Sequence, residues 1–168
     1  LWFYRNPTAL TRGGPTVRSL LGLPLDEEPL ARLHALSAAI RDAVRYVTGT
    51  TGPTTTAEDA AAAGTGVCQD HAHIFIAAAR LLGFPARYVS GYLMMDDRVD
   101  QEASHGWAEA HVDALGWVGF DVSNGVSPDA RYVRLATGRD YGEAAPIIGG
   151  GGGGRADLAQ AGGRDPAR

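Results

Sequence analysis

The stretch GTGVCQDHAH, residues 64–73, holds the one cysteine of the chain, Cys68, with glycines just upstream and His71 and His73 just downstream. Two further histidines, His105 and His111, lie in SHGWAEAHV, and Asp121 lies in GWVGFDVSNG. A thiolate attacks an acyl carbon when an imidazole takes the thiol proton and a carboxylate orients that imidazole. The same residue types also serve as zinc ligands: Cys68, His71 and His73 form C-x2-H-x-H, with Asp70 or His105 available as a fourth donor. A third role needs no chemistry, because a lone cysteine on an apolar helix is often plain core packing.

Each role depends on the elements that carry these residues. CQDHAHIFIAAARLLG places Ile74, Phe75, Ala78, Ala79 and Leu82 on one stripe and closes at Gly83, which predicts a buried helix opening at Cys68. The first backbone N–H groups of a helix lack intrahelical partners and carry the positive end of its dipole, so that position stabilises a thiolate and suits an oxyanion. Gly64 and Gly66 allow a tight approach to the sulfur. On such a helix His71 and His73 point about 200° apart at 3.6 residues per turn, which works against one shared ion. His73 is expected to be a buried, satisfied histidine.

Strand alternation helps to choose among the other histidines. Residues 105, 107, 109 and 111 share one face of a strand, and 117, 119 and 121 share one face of the next. A hairpin through VDALG could set His105 beside Asp121, one pattern among several that a chain of this length offers, and it leaves His111 too far along the strand to act on the same group. The resulting order is Cys68, His105, Asp121.

Residues 1–25, with Pro7, Gly13, Gly14, Pro15 and Pro24, read as an extended lead-in whose Trp2, Phe3 and Tyr4 dock on the core. From Asp26 to Val47, Leu30, Leu33, Leu36, Ile40, Val44 and Val47 recur at three- and four-residue intervals, predicting an amphipathic helix with His34 on its solvent side. TTTAEDAAAAG offers Thr55 as N-cap, Glu58 three residues on and Gly64 as a stop. After Gly83 four segments turn β-rich: PARYVSGYL, GWAEAHVDA, GWVGFDVSNG and ARYVRLATG. Helices followed by antiparallel strands give an α+β fold. MMDDRVDQEAS between the first two strands reads as a polar loop or lid, and the six glycines after Ile148 open a disordered tail. The division is therefore a lead-in over 1–25, a core over 26–148 and a Gly-rich tail over 149–168.

A content of 45% hydrophobic and 20% charged residues in 168 describes one domain with a sizeable core. A formal charge of −4 without a long Lys/Arg run argues against a nucleic-acid or anionic-membrane surface and for a protein, peptide or small-molecule partner. A single cysteine forms no internal disulfide and survives best in a reducing compartment, so a cytoplasmic location is the expectation.

GTGVCQDHAHIFIAAARLLGFPARYVSGYL, SHGWAEAHV and GWVGFDVSNG, in this order, together resemble the catalytic core of the transglutaminase-like superfamily, most closely its bacterial branch. The resemblance runs from about Asp26 to about Gly142, with GRDYGEAAPI similar to the segment that follows the core. It implies a papain-like α+β fold, with a nucleophilic Cys68 at the start of a central helix packed on an antiparallel sheet that presents His105 and Asp121. It also implies thioester chemistry on amides of a protein or peptide, with no cofactor or metal. Gln69 stands where animal transglutaminases carry Trp, which favours hydrolysis over Gln–Lys crosslinking. The backbone N–H of Cys68 is one expected oxyanion donor. Gln69 and Trp107, with the lead-in aromatics, are candidates for the second donor or for contacts to substrate.

Overall fold

The structure is a computed structural model and describes residues 1–22, 28–94 and 104–145. A 3-10 turn, Trp2–Arg5, precedes α1 (Pro15–Ser19), α2 (Pro29–Ala43), β1 (Arg45–Tyr46), α3 (Ala57–Ala63), β2 (Thr65–Gly66) and α4 (Cys68–Leu81). β3 (Ala86–Leu93), β4 (His105–Val112), β5 (Gly116–Phe120), β6 (Tyr132–Gly138) and α5 (Tyr141–Ala144) follow. β3 to β6 make an antiparallel sheet in the order β5-β4-β3-β6. The polar loop expected at 94–104 falls almost wholly outside the described residues, as does the whole of the 149–168 tail.

Helix α4 is the centre of the molecule. Every residue from Gln69 to Ala79 is buried, which fits its run of alanine, isoleucine and phenylalanine. Phe75 stacks on Phe120 of β5 at 4.7 Å between ring centroids, and His73 lies against Tyr88 of β3. The pleat then settles the faces: Ala86, Tyr88, Ala108, Ala110 and Phe120 join the core beneath α4, while Arg87, Trp107, Glu109 and Trp117 take the opposite face. On that outer face Glu109, only 2% exposed, is held by Arg87 at 2.7 Å and by Arg134 of β6.

Three local readings shift. The helix expected over 26–47 is Pro29–Ala43; residues 26 and 27 lie outside the described set, and at the other end the chain leaves the helix at Val44. Arg45 and Tyr46 instead pair in parallel with Thr65 and Gly66, the short strand that runs into α4. The cap of α3 is Thr56, not Thr55: its hydroxyl accepts from Asp59 N at 3.1 Å, and Gly64 closes the helix at φ 64°. Glu58 serves a different helix. Its carboxylate accepts from Gly14, Thr16 and Val17 N–H and so caps α1, and these bonds outweigh burial to hold it below its usual value.

The lead-in expected to be extended without a regular element holds two short helical turns, and one side chain of α4 fastens it at Tyr4 and Thr11. Arg80 of α4 donates to Tyr4 O, Thr11 Oγ1, Ala86 O and Arg139 O at 2.7–2.9 Å. A guanidinium spends four of its five N–H donors this way, at a crossing where four segments meet. Tyr4 meets Trp117 edge-on, Phe3 lies under Arg139, and Trp2 is exposed rather than docked.

Candidate active site

Cys68 is the first residue of α4, and the turn before it is braced by the third. Asp70 Oδ2 accepts from Val67 N at 2.8 Å and from Thr51 Oγ1 at 2.5 Å, returning a carboxylate to the helix start as in a capping box. Burial raises the Asp70 carboxyl above its usual value, against the pull of those two bonds. A Cβ on Gly66 would stand 2.7 Å from Asp70 Cβ, so glycine is what lets the strand pass this close. β2 thereby delivers Cys68 to the helix start with its thiol half-buried, beside the sheet.

His105 opens β4 and Asp121 follows β5. The ladder pairs Ala108 with Phe120, and one step further brings Asp121 to the end of the hairpin beside Trp107. His105 Nε2 meets Asp121 Oδ2 at 2.6 Å, and a carboxylate only accepts, so Nε2 carries the hydrogen. The Cys68 side chain lies close enough to act on the same imidazole. Burial opposes charge on this ring, yet the bonds to Asp121 and Cys68, and their negative charge, raise His105 to about 10. Burial likewise works to raise Asp121, and the bonds from His105, Asn124 and Tyr132 overcome it and hold the carboxyl below its ordinary value. The structure brings the side chains of Cys68, His105 and Asp121 into one neighbourhood, with the imidazole between the thiol and the carboxylate.

The remaining histidines are used elsewhere. His71 donates from Nε2 to Val44 O at 2.9 Å and takes the Ser123 hydroxyl at Nδ1 at 2.8 Å; burial lowers it, so it is a neutral strut between α2 and the turn after β5. His73 is wholly buried, accepts from Tyr141 N at 3.0 Å, and is lowered by that burial to about 4. With both so committed, Cys68, His71 and His73 do not converge on one ion. His111 lies against Trp117 at the far end of β4, and His34 is exposed beside Phe120.

Gln69 is 2% exposed, and its Nε2 is turned toward Gly52 O at 3.5 Å. Trp107, also 2% exposed, stacks beside His105 at 6.2 Å and meets Tyr132 edge-on, so it backs the imidazole rather than opening to solvent.

Three neighbours were not singled out from the sequence. Asn124 gives Nδ2 to Asp121 Oδ2 at 2.7 Å and its backbone N to Oδ1 at 3.2 Å, an Asx turn that D-x-x-N-G could have signalled. Tyr132 gives its hydroxyl to the same Oδ2 at 2.7 Å. Tyr46 stands opposite Gly66 with its ring 6.1 Å from His71; partial burial, then the charges of Cys68, Asp121 and Asp70, raise its hydroxyl. Nothing local marks the last two.

The model of the family described as the transglutaminase-like superfamily matches residues 22–122, a segment that contains Cys68, His105 and Asp121. An uncharacterized protein of Mycobacterium leprae is 34% identical over 150 residues, 86% of this chain and 53% of its own. An uncharacterized protein of Mycobacterium tuberculosis is 35% identical over 136 residues, 74% and 43% of the two chains. The chain spans about half the length of the curated relatives it matches. Among solved structures, a Cytophaga hutchinsonii protein described as a "Putative Cysteine Protease" superposes with a TM-score of 0.72 at 30% identity, over 84% of this chain and 48% of that one. A helix opening at a cysteine on a four-stranded antiparallel sheet, the family match across it and the structural likeness agree, and the chain belongs to the transglutaminase-like superfamily.

Proposed function

We propose that this domain performs thiol-dependent acyl transfer on amide bonds of a protein or peptide, with Cys68 as nucleophile, His105 as proton carrier and Asp121 as its orienting partner. The observation that carries the reading is one imidazole bonded to a carboxylate at 2.6 Å, with the cysteine that opens a buried helix coupled to the same ring. Asp121 holds Nε2–H and so turns the other ring nitrogen to the sulfur. The Cys68 proton passes to His105, and the thiolate adds to the amide carbonyl carbon. Backbone N–H at the start of α4, that of Cys68 included, faces the developing oxyanion. The C–N bond then breaks as His105 returns the proton to the departing amine, leaving a thioester. Water, deprotonated by His105, adds to that thioester; the C–S bond breaks and releases the acid. Gln69 after the nucleophile, where animal crosslinking enzymes carry Trp, favours water over a lysine amine as acceptor.

The test is iodoacetamide alkylation of Cys68 against pH in the wild type, His105→Ala and Asp121→Ala, each shown to be folded by circular dichroism. Fast labelling near neutral pH that both substitutions suppress supports the proposal and justifies screening amide substrates for an acyl-enzyme by mass spectrometry. Slow labelling that neither substitution changes overturns it and leaves a noncatalytic peptide-binding module of the same fold.

A further inference from the structure

Three side-chain donors converge on one oxygen of Asp121. Oδ2 accepts from His105 Nε2 at 2.6 Å, Asn124 Nδ2 at 2.7 Å and Tyr132 Oη at 2.7 Å. Asn124 belongs to the turn that follows β5, where Val126 bridges back to Asp121 and Gly125 adopts φ 67°, so its bonds come with the local backbone. Tyr132 does not. It opens β6, one edge of the sheet, whereas Asp121 follows β5, the other edge, with β4 and β3 between them. The phenol spans that gap because its ring lies 5.4 Å from Trp107, edge-on, and 5.9 Å from His105.

We propose that Tyr132 is a positioning residue of this centre, its hydroxyl fixing the carboxylate of Asp121 in the orientation that His105 requires. The inference rests on the function proposed above. Asp121 is 1% exposed, so bulk water does not replace a donor removed from it, and a carboxylate short of a donor is both freer to turn and easier to protonate. Burial and the nearby Asp121 charge keep the Tyr132 hydroxyl protonated far into the alkaline range, so it remains a donor wherever His105 and Asp121 form their ion pair. The other titratable groups coupled to the pair are Cys68 and His71 on α4 and Tyr46 on β1, with Asp70 acting on His71 and Tyr46 and Arg131 on Tyr132. Asp70 and His71 are bonded to other partners, and Tyr46 is half-exposed, which leaves Tyr132 as the long-range donor to this carboxylate.

Tyr132→Phe removes the hydroxyl and keeps the ring on Trp107. The readouts are the His105 ring nitrogen shifts by NMR as pH is lowered, which report protonation of Asp121, and the alkylation rate of Cys68 at neutral pH. The expected result is an inflection at higher pH than in the wild type and a loss of roughly tenfold in alkylation rate, the lower range for a hydrogen bond to a charged acceptor, with the melting temperature little changed. Asp121→Asn, which has no carboxyl to titrate, should abolish the inflection and identifies it. If Tyr132→Phe superimposes on the wild type in both readouts while Asp121→Asn and His105→Ala change them, the role of Tyr132 is overturned and the proposed function stands. If none of the three alters the alkylation rate, the proposed function falls and the inference with it.

Discussion

His105 and Asp121 come from neighbouring strands but are not cross-strand partners. The ladder runs through Ala108 and Phe120, so the residue in line with Asp121 is Trp107, and the imidazole lies two residues before Trp107 on the same face. The 2.6 Å bond is therefore a diagonal contact across the end of a hairpin, with an indole beside it. Diagonal neighbours on a sheet are farther apart than direct pairs, and only long or aromatic side chains close the distance. The geometry of the centre thus depends on what fills position 107.

Trp107→Ala should accordingly affect both folding and reactivity. Removing a buried indole costs about 3–5 kcal/mol, and the space it vacates lets both His105 and Tyr132 turn. Trp107→Phe should recover most of the stability and part of the alkylation rate. Urea unfolding midpoints and iodoacetamide kinetics on the same samples check both.

The raised imidazole predicts an alkaline loss of stability. His105 goes from an ordinary 6.5 to about 10 on folding, so its contribution is fully present below 6.5 and is lost as pH rises between 6.5 and about 10. Asp121 is shifted the other way, and its contribution is lost only as pH falls below the ordinary carboxylate value of 3.8. Urea midpoints of the wild type should decline across the alkaline window, and Asp121→Asn should flatten that decline. A wild-type curve with no slope there would contradict the assignment.

His73 predicts the acid side. Burial lowers it from 6.5 to about 4, so below 6.5 the unfolded chain takes up a proton that the folded chain refuses, and stability falls as pH drops through that window. The shift corresponds to a loss on the order of 3 kcal/mol. His73→Gln keeps an acceptor for Tyr141 N–H and removes the titration, so its stability should fall less steeply between those pH values. Acid titrations followed by circular dichroism measure the difference.

Gly66→Ala tests the approach to the nucleophile. The new methyl would meet Asp70 Cβ at 2.7 Å and Oδ2 at 2.9 Å, pushing the carboxylate from Val67 N and Thr51. Such overpacking costs about 1–3 kcal/mol, and Cys68 alkylation should slow with it. Unchanged kinetics in a destabilised variant would separate the helix cap from the reactivity of the thiol.

The sequence by itself determined most of the elements and, through the family resemblance, singled out the residues of the candidate site. An apolar run from Cys68 closing at Gly83 had to be a buried helix, and it is Cys68–Leu81 with Gly83 at φ 91°. Four β-rich segments became β3 to β6, and the period of two over a short hairpin allowed His105 to stand beside Asp121, where the structure has it. These signals are readable because side-chain direction follows backbone period, a local property. Tertiary structure alone decided that Glu58 caps α1, that Arg45 and Tyr46 leave the helical pattern to pair with β2, and that Arg80 gathers the lead-in. It alone decided that Tyr132, at the opposite edge of the sheet, donates to Asp121. Such partners are set by which chain segments cross in space and which buried polar groups must still be satisfied there, and that accounting has no period along the chain.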